Sequence, residues 1–170
     1  MAGPSVGVLM FVAQRAIEQR VLAAVHAAGF DDTTVAQGRV FARIGEDGTR
    51  LTDLAEMAQV TKQTAAFLVQ RLELSGYVER VPDPTDARAR LVRISPRGRE
   101  ALAVAAREER AIYGEWAEHL GARDMQRLTE IMGRLREVTD PYRDLDAARR
   151  DQARPLGAPP RGVAASPVDG

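Results

Sequence analysis

The chain has 170 residues, 45% of them apolar and 28% charged, which suffices for one compact domain and is too short for two of average length. It has no Cys and two His, His26 and His119, which excludes a disulfide framework, thiolate metal sites and thiol redox sensing and fits a histidine-rich metal centre poorly. Net charge is zero, but residues 61–99 carry Lys62 and seven Arg against four acids, while the segments on either side are each slightly acidic. One basic segment in a neutral chain is the footprint of a single surface meeting a polyanion, with a merely solvated charged face as the competing reading.

The apolar stretch from Val6 to Ala13 is far shorter than the ~20 residues that cross a membrane, and the first basic residue, Arg15, follows it instead of preceding it as in a signal peptide. The chain therefore reads as cytoplasmic. Over residues 8–28 Val8, Leu9, Val12, Ala16, Ile17, Val21, Leu22 and Val25 recur at helical spacing, and Gly29 supplies a stop. Met10 and Phe11 widen the apolar surface at the start of this helix beyond one stripe, a surplus that a partner subunit would cover.

A second helix is predicted over residues 34–44 with Val35, Val40, Phe41 and Ile44 inward, and a third over 51–58 with Leu51, Leu54, Ala55 and Ala58 inward. Asp53 and Glu56 read as solvated helix charges, not catalytic carboxylates. Gln59, Val60 and Thr61 separate this helix from the next, and Thr61 is a good N-cap. The fourth helix, over 62–75, buries Ala65, Leu68, Val69 and Leu72 and stops at Gly76, leaving Gln63, Thr64, Phe67, Gln70 and Arg71 on its open face.

Tyr77 to Val81 forms a short strand, Pro82 to Asp86 a turn because proline lacks the ladder donor, and Ala89 to Ser95 a returning strand. Ser95 and Pro96 are an N-cap followed by proline at the first helical position, opening a helix that Gly121 closes. A last helix over 122–138 carries the stripe Met125, Leu128, Ile131, Met132, Leu135 and Val138 and ends at Pro141. Residues 141–170, with Pro155, Pro159, Pro160 and Pro167, read as a disordered tail.

Three short helices, a three-residue turn before the last, and a hairpin after it make a winged helix-turn-helix. The expected fold is mainly α with an α+β wing: residues 31–99 form the DNA-binding domain, 1–30 and 100–140 the N- and C-terminal dimerisation helices. The helix after the turn is the one that enters a major groove. Gln63 can pair with adenine, Thr64 can donate or accept, Phe67 can lie on a thymine methyl, and Lys62 and Arg71 are placed for phosphates. Arg88 and Arg90 lie at or just beyond the hairpin turn, where an arginine can enter a narrow A·T minor groove. The competing readings are a solvated cap for Gln63 and Thr64 and packing against the hairpin for Phe67.

The stretch LTDLAEMAQVTKQTAAFLVQRLELSGYVERVPDPTDARARLVRISPRG resembles the MarR family of bacterial transcriptional regulators. It shows the leucine-opened helix, the Thr-Lys-x-Thr start of the recognition helix, the link running to Gly76, and a D-P-x-D-x-R wing closing in I-S-P-x-G. The resemblance covers residues 35–99, extends through the last two helices to about 140, and implies a homodimer reading a pseudo-palindrome in double-stranded DNA. Carried over, the groove-facing residues are Thr61, Lys62, Gln63, Thr64, Phe67 and Arg71, and the minor-groove arginine is Arg88. Two positions depart from the pattern: Phe67 stands where a polar or basic residue is common, and Ala87 where a second wing arginine is common.

The resemblance further implies a dimeric repressor relieved by a small aromatic or phenolic ligand bound between the dimerisation helices and the DNA-binding lobe. Phe11, His26, Phe30, Tyr113 and Trp116 are the residues placed to line such a pocket, with plain core packing as the alternative. No metal or other cofactor is expected. No phosphate loop, metal-binding His/Glu motif or nucleophile elbow occurs, so an enzyme is not expected. The remaining alternative is a ligand-independent winged helix used as a protein-interaction or assembly module.

Overall fold

The computed structural model describes residues 3–142; the rest of the expected tail lies outside the described residues. In chain order the elements are α1 (Val6–Ala27), α2 (Val35–Phe41), β1 (Thr49–Arg50), α3 (Leu51–Met57), α4 (Lys62–Leu74), β2 (Val78–Asp83), β3 (Asp86–Ile94), α5 (Pro96–Leu120) and α6 (Ala122–Thr139). Four starts are fixed by side-chain caps: Ser5, Thr34, Thr61 and Ser95 accept hydrogen bonds from the amides of Val8, Gln37, Thr64 and Gly98. Gly29 and Gly76 sit at φ 91° and 75°, the left-handed conformation that terminates α1 and α4. Pro141 and Tyr142, expected to open the tail, instead turn back after α6. The Tyr142 amide donates to Asp140 Oδ1 at 2.9 Å, and its ring packs half-buried against the core.

The sheet has three antiparallel strands in the order β1-β3-β2, one more than the sequence predicts. β1 has two residues, Thr49 opposite Val92 and Arg50 opposite Leu91, too few for any alternation to show. The hairpin also differs from expectation. Pro82 and Asp83 continue β2, opposite Arg90 and Asp86, and the turn shrinks to Pro84 and Thr85. Proline is tolerated there because β2 is an edge strand. Between those two pairs the register jumps, leaving Ala87, Arg88 and Ala89 without partners in a bulge.

The core sits where α2, α3, α4 and the sheet meet the end of α1 and the start of α5. α4 buries Ala65, Leu68, Val69 and Leu72, the four positions its periodicity predicts. Gln37 and Met57 are also buried, although neither lies on a predicted apolar stripe. Gln37 is accommodated because its side-chain oxygen accepts from the Thr34 hydroxyl at 2.8 Å. By contrast α6 buries none of its residues, and Leu128, Ile131, Met132 and Val138 are exposed along it. Val6, Val8, Leu9, Phe11 and Val12 are likewise exposed at the start of α1.

A polar clamp holds the wing to the body. From β1, Arg50 reaches across β3, and its Nε donates to Asp83 Oδ2 at 2.7 Å. Asp83 Oδ1 accepts from both the amide and the hydroxyl of Thr85, at 2.8 and 2.7 Å. The two Thr85 hydrogen bonds first, and the Arg50 guanidinium after them, hold the Asp83 carboxyl down at about 2.

Two predictions follow from this packing. A Cβ on Gly98 would stand 2.2 Å from the Tyr77 carbonyl oxygen and 2.9 Å from Ile94 Cγ2, and a backbone oxygen held in this core cannot yield. Gly98→Ala should therefore cost about 3 kcal/mol, read as a lower denaturant midpoint at unchanged slope. The Asp83 clamp stabilises the fold fully above the ordinary carboxyl value of 3.8, and that contribution is lost as pH falls toward about 2. Asp83→Asn should flatten the loss of stability below pH 4, measured by urea unfolding between pH 2 and 5; an unchanged acid limb would refute the clamp.

Candidate nucleic-acid interface and ligand cavity

The exposed face of α4 is built from its start. Thr61 caps the helix, its Oγ1 accepting the Thr64 amide at 3.1 Å and lying 2.8 Å from the Thr64 hydroxyl, so these two side chains are partly committed to each other. Lys62, Gln63, Gln70 and Arg71 point to solvent from the same helix. Phe67 is 60% exposed. It is not part of the buried core, so core packing does not account for a ring at that position.

The basic segment divides into two sets. Arg80 pairs with Glu73 at 3.0 Å, Arg93 with Glu79 at 2.8 Å, and Arg97 lies 3.8 Å from Asp32. These arginines are occupied in holding the lobe together. Among the described residues Lys62, Arg71, Arg88 and Arg90 form no ion pair. All four are exposed, and all four are residues the sequence assigns to DNA. Arg88 projects from the wing bulge, where its amide donates to Asp86 Oδ1 at 3.0 Å. Asp86 thus orders the backbone of the bulge and leaves the guanidinium free.

A cavity of about 240 Å³ opens between α1, α2 and α5 and reaches the end of α4. Its walls are mostly aliphatic, including Ile17, Val21 and Val25 of α1, Leu72 of α4 and Leu102 of α5. Tyr77 closes one side. The Tyr77 hydroxyl donates to Asp32 Oδ1, and burial first, with that carboxylate second, pushes its pKa up to about 12. At the rim, both oxygens of Glu18 accept from Arg39, at 2.7 and 2.8 Å, which lowers the Glu18 pKa.

None of the five residues expected to line a pocket lines this one. Phe30 is core, its ring 6.1 Å from that of Tyr77 and under the Arg97 guanidinium. The His26 Nε2 lies 2.8 Å from the Thr33 carbonyl oxygen. Phe11 stands exposed near the start of α1 beside Arg15, while Tyr113 and Trp116 form an edge-to-face pair on α5 at 6.0 Å. The usable signal was small residues: Gly38, Ala42, Ala101 and Ala105 line the cavity beside Phe41 and Tyr77, which the sequence did not single out for a pocket.

Residues 31–89 match a family model described as MarR family. The transcriptional activatory protein BadR of Rhodopseudomonas palustris is 35% identical over 101 residues, 59% of this chain and 56% of that protein. The chain spans about half the length of the curated relatives it matches. Two solved structures share the fold. MarR of E. coli in its apo form is 20% identical with a TM-score of 0.63, over 79% of this chain and 98% of that one. NadR in complex with 4-hydroxyphenylacetate is 21% identical with a TM-score of 0.62, over 81% and 96%. The motif, the winged helix-turn-helix and these matches agree in their likeness to the MarR family.

Proposed function

We propose that the protein is a sequence-specific regulator of transcription that binds double-stranded DNA as a homodimer and loses affinity for it when a small aromatic compound occupies the cavity. The observation that carries the reading is the set of unpaired cations Lys62, Arg71, Arg88 and Arg90 around the exposed Gln63 and Phe67. Free cations release condensed counterions on meeting phosphates, whereas arginines already paired with carboxylates gain little. Thr64, Gln63 and Phe67 then face base edges, Thr61 sets the helix start, Lys62 and Arg71 take phosphates, and Arg88 and Arg90 reach the minor groove from the wing. Residues 31–99 form the DNA-binding unit, and such a protein works in the cytoplasm, where a bacterial chromosome is.

The dimer reading rests on the exposed apolar rows at the start of α1 and along α6, elements at the two ends of the described chain. Residues 1–30 and 100–140 would supply the interface, setting the two recognition helices ~34–36 Å apart, one turn of the duplex. Repression needs only an operator that overlaps a promoter. BadR is named an activatory protein, so likeness to it does not favour repression over activation. The bound 4-hydroxyphenylacetate of NadR supports a ligand role for a cavity in this fold.

Light scattering should give about twice the 18.5 kDa chain mass at micromolar concentration; a monomer there refutes the two-half-site model. Selection of bound duplexes from genomic fragments should return pseudo-palindromes. On such a site Gln63→Ala should reduce discrimination at one base pair by roughly 1–3 kcal/mol, and Arg88→Ala should weaken binding most where the flanks are A·T-rich. Arg71→Ala should lower affinity across sequences and flatten the salt dependence. Unchanged sequence preference in Gln63→Ala would remove that residue from readout.

A further inference from the structure

The charge around the cavity specifies its guest more narrowly than its shape does. An apolar cavity of about 150 Å³ accommodates benzene, so about 240 Å³ suits a fused two-ring compound or a ring with a short chain. Every basic or hydroxyl group on the wall already has a partner. Arg39 spends Nε and Nη2 on the two oxygens of Glu18. The Arg43 Nε donates to the Met57 carbonyl at 2.6 Å and its Nη1 to the Arg39 carbonyl at 2.7 Å. The Thr33 hydroxyl donates to the Phe30 carbonyl, the Thr34 hydroxyl to Gln37, and the Tyr77 hydroxyl to Asp32.

Glu109 of α5 is the exception. It is a half-buried lining residue that makes no hydrogen bond or ion pair among the described residues. An anionic guest would meet Arg39 already paired with Glu18 and Arg43 already held by two carbonyl oxygens, and would still face the Glu109 carboxylate. A neutral guest would leave Glu109 as it is. An ammonium would meet the Glu109 carboxylate directly.

We infer that the cavity takes a cationic apolar guest, a one- or two-ring amine whose ammonium pairs with Glu109 while its rings lie among Ile17, Val21, Leu72 and Leu102. This rests on the reading of the cavity as a ligand site and narrows the guest from a small aromatic compound to an aromatic amine.

The test is calorimetric titration of the full chain, without DNA, with three probes of one ring system: 2-naphthylmethylamine, 2-naphthol and 2-naphthoate. The amine should bind at least tenfold tighter than the naphthoate, with the naphthol between them. Glu109→Gln, an isosteric change on a helix surface, should cut the amine's advantage at least fivefold and leave the naphthol unchanged. Ala105→Leu, which fills the space from the α5 side, should weaken all three. Tightest binding of the naphthoate, or the same ranking in Glu109→Gln, would overturn the assignment of charge; no binding of any probe would overturn the site. Duplex binding by the same preparations is scored separately, so failure of the ligand assignment leaves the DNA-binding reading standing or falling on its own result.

Discussion

Tyr77 is the residue on which the arrangement depends. It is 1% exposed and follows the glycine that ends the recognition helix. Its amide donates to the Leu72 carbonyl at 2.9 Å, and its carbonyl accepts the Ser95 amide at 3.0 Å, so its backbone alone ties α4 to the start of α5. Its ring meets Phe30 and Phe41, the Arg97 guanidinium lies 4.9 Å above it, and its hydroxyl is bound to Asp32 between α1 and α2. One residue, through its backbone and its side chain, thus fixes α4, the wing, the start of α5 and the α1–α2 loop relative to one another. Gly98 is required beside it because only a hydrogen fits against that carbonyl.

Much of this was legible from the sequence because helices of this length carry their instructions locally. The caps at Thr61 and Ser95, the stops at Gly29 and Gly76, and the four buried positions of α4 follow from spacing and side-chain chemistry. What was not legible depends on partners distant in the chain. β1 exists because Thr49 and Arg50 find Val92 and Leu91 about forty residues later, and two residues show no period. Pro82 stays in a strand because β2 is an edge, a property of the sheet and not of the residue. Tyr77 reads as the first residue of a weak strand, and nothing nearby reveals that Asp32 and Arg97 converge on it.

The candidate site divides along the same line. The exposed residues of α4 can be named from sequence because the helix is amphipathic and its buried face leaves the other free. Which cations remain available cannot, since Arg80, Arg93 and Arg97 look like Arg71, Arg88 and Arg90 until Glu73, Glu79 and Asp32 are placed beside the first three. A count of +4 for the segment therefore overstates nothing in sign but misplaces the charge: half of its basic side chains serve the lobe or the start of α5, and the others face outward. The five residues expected at a pocket lie outside this cavity for a related reason. Aromatic residues fill space, and a void arises where small residues face one another across two helices.

The cavity and the recognition helix share a wall, and this limits how one can affect the other. Leu72 is in the last turn of α4, and Tyr77 is the anchor just described. Both are held by contacts on their far sides, so neither can move alone without leaving a buried group unpaired or opening a void. Pressure from the cavity is therefore transmitted to α4, β2 and the start of α5 as one body, against α1 on the opposite wall. A guest that fits both arrangements equally shifts nothing, however tightly it binds. Control of DNA binding through this cavity requires a guest that fits only one distance between α1 and the Tyr77 wall, and the fixed length of a ring system supplies that difference better than a flexible chain of the same volume.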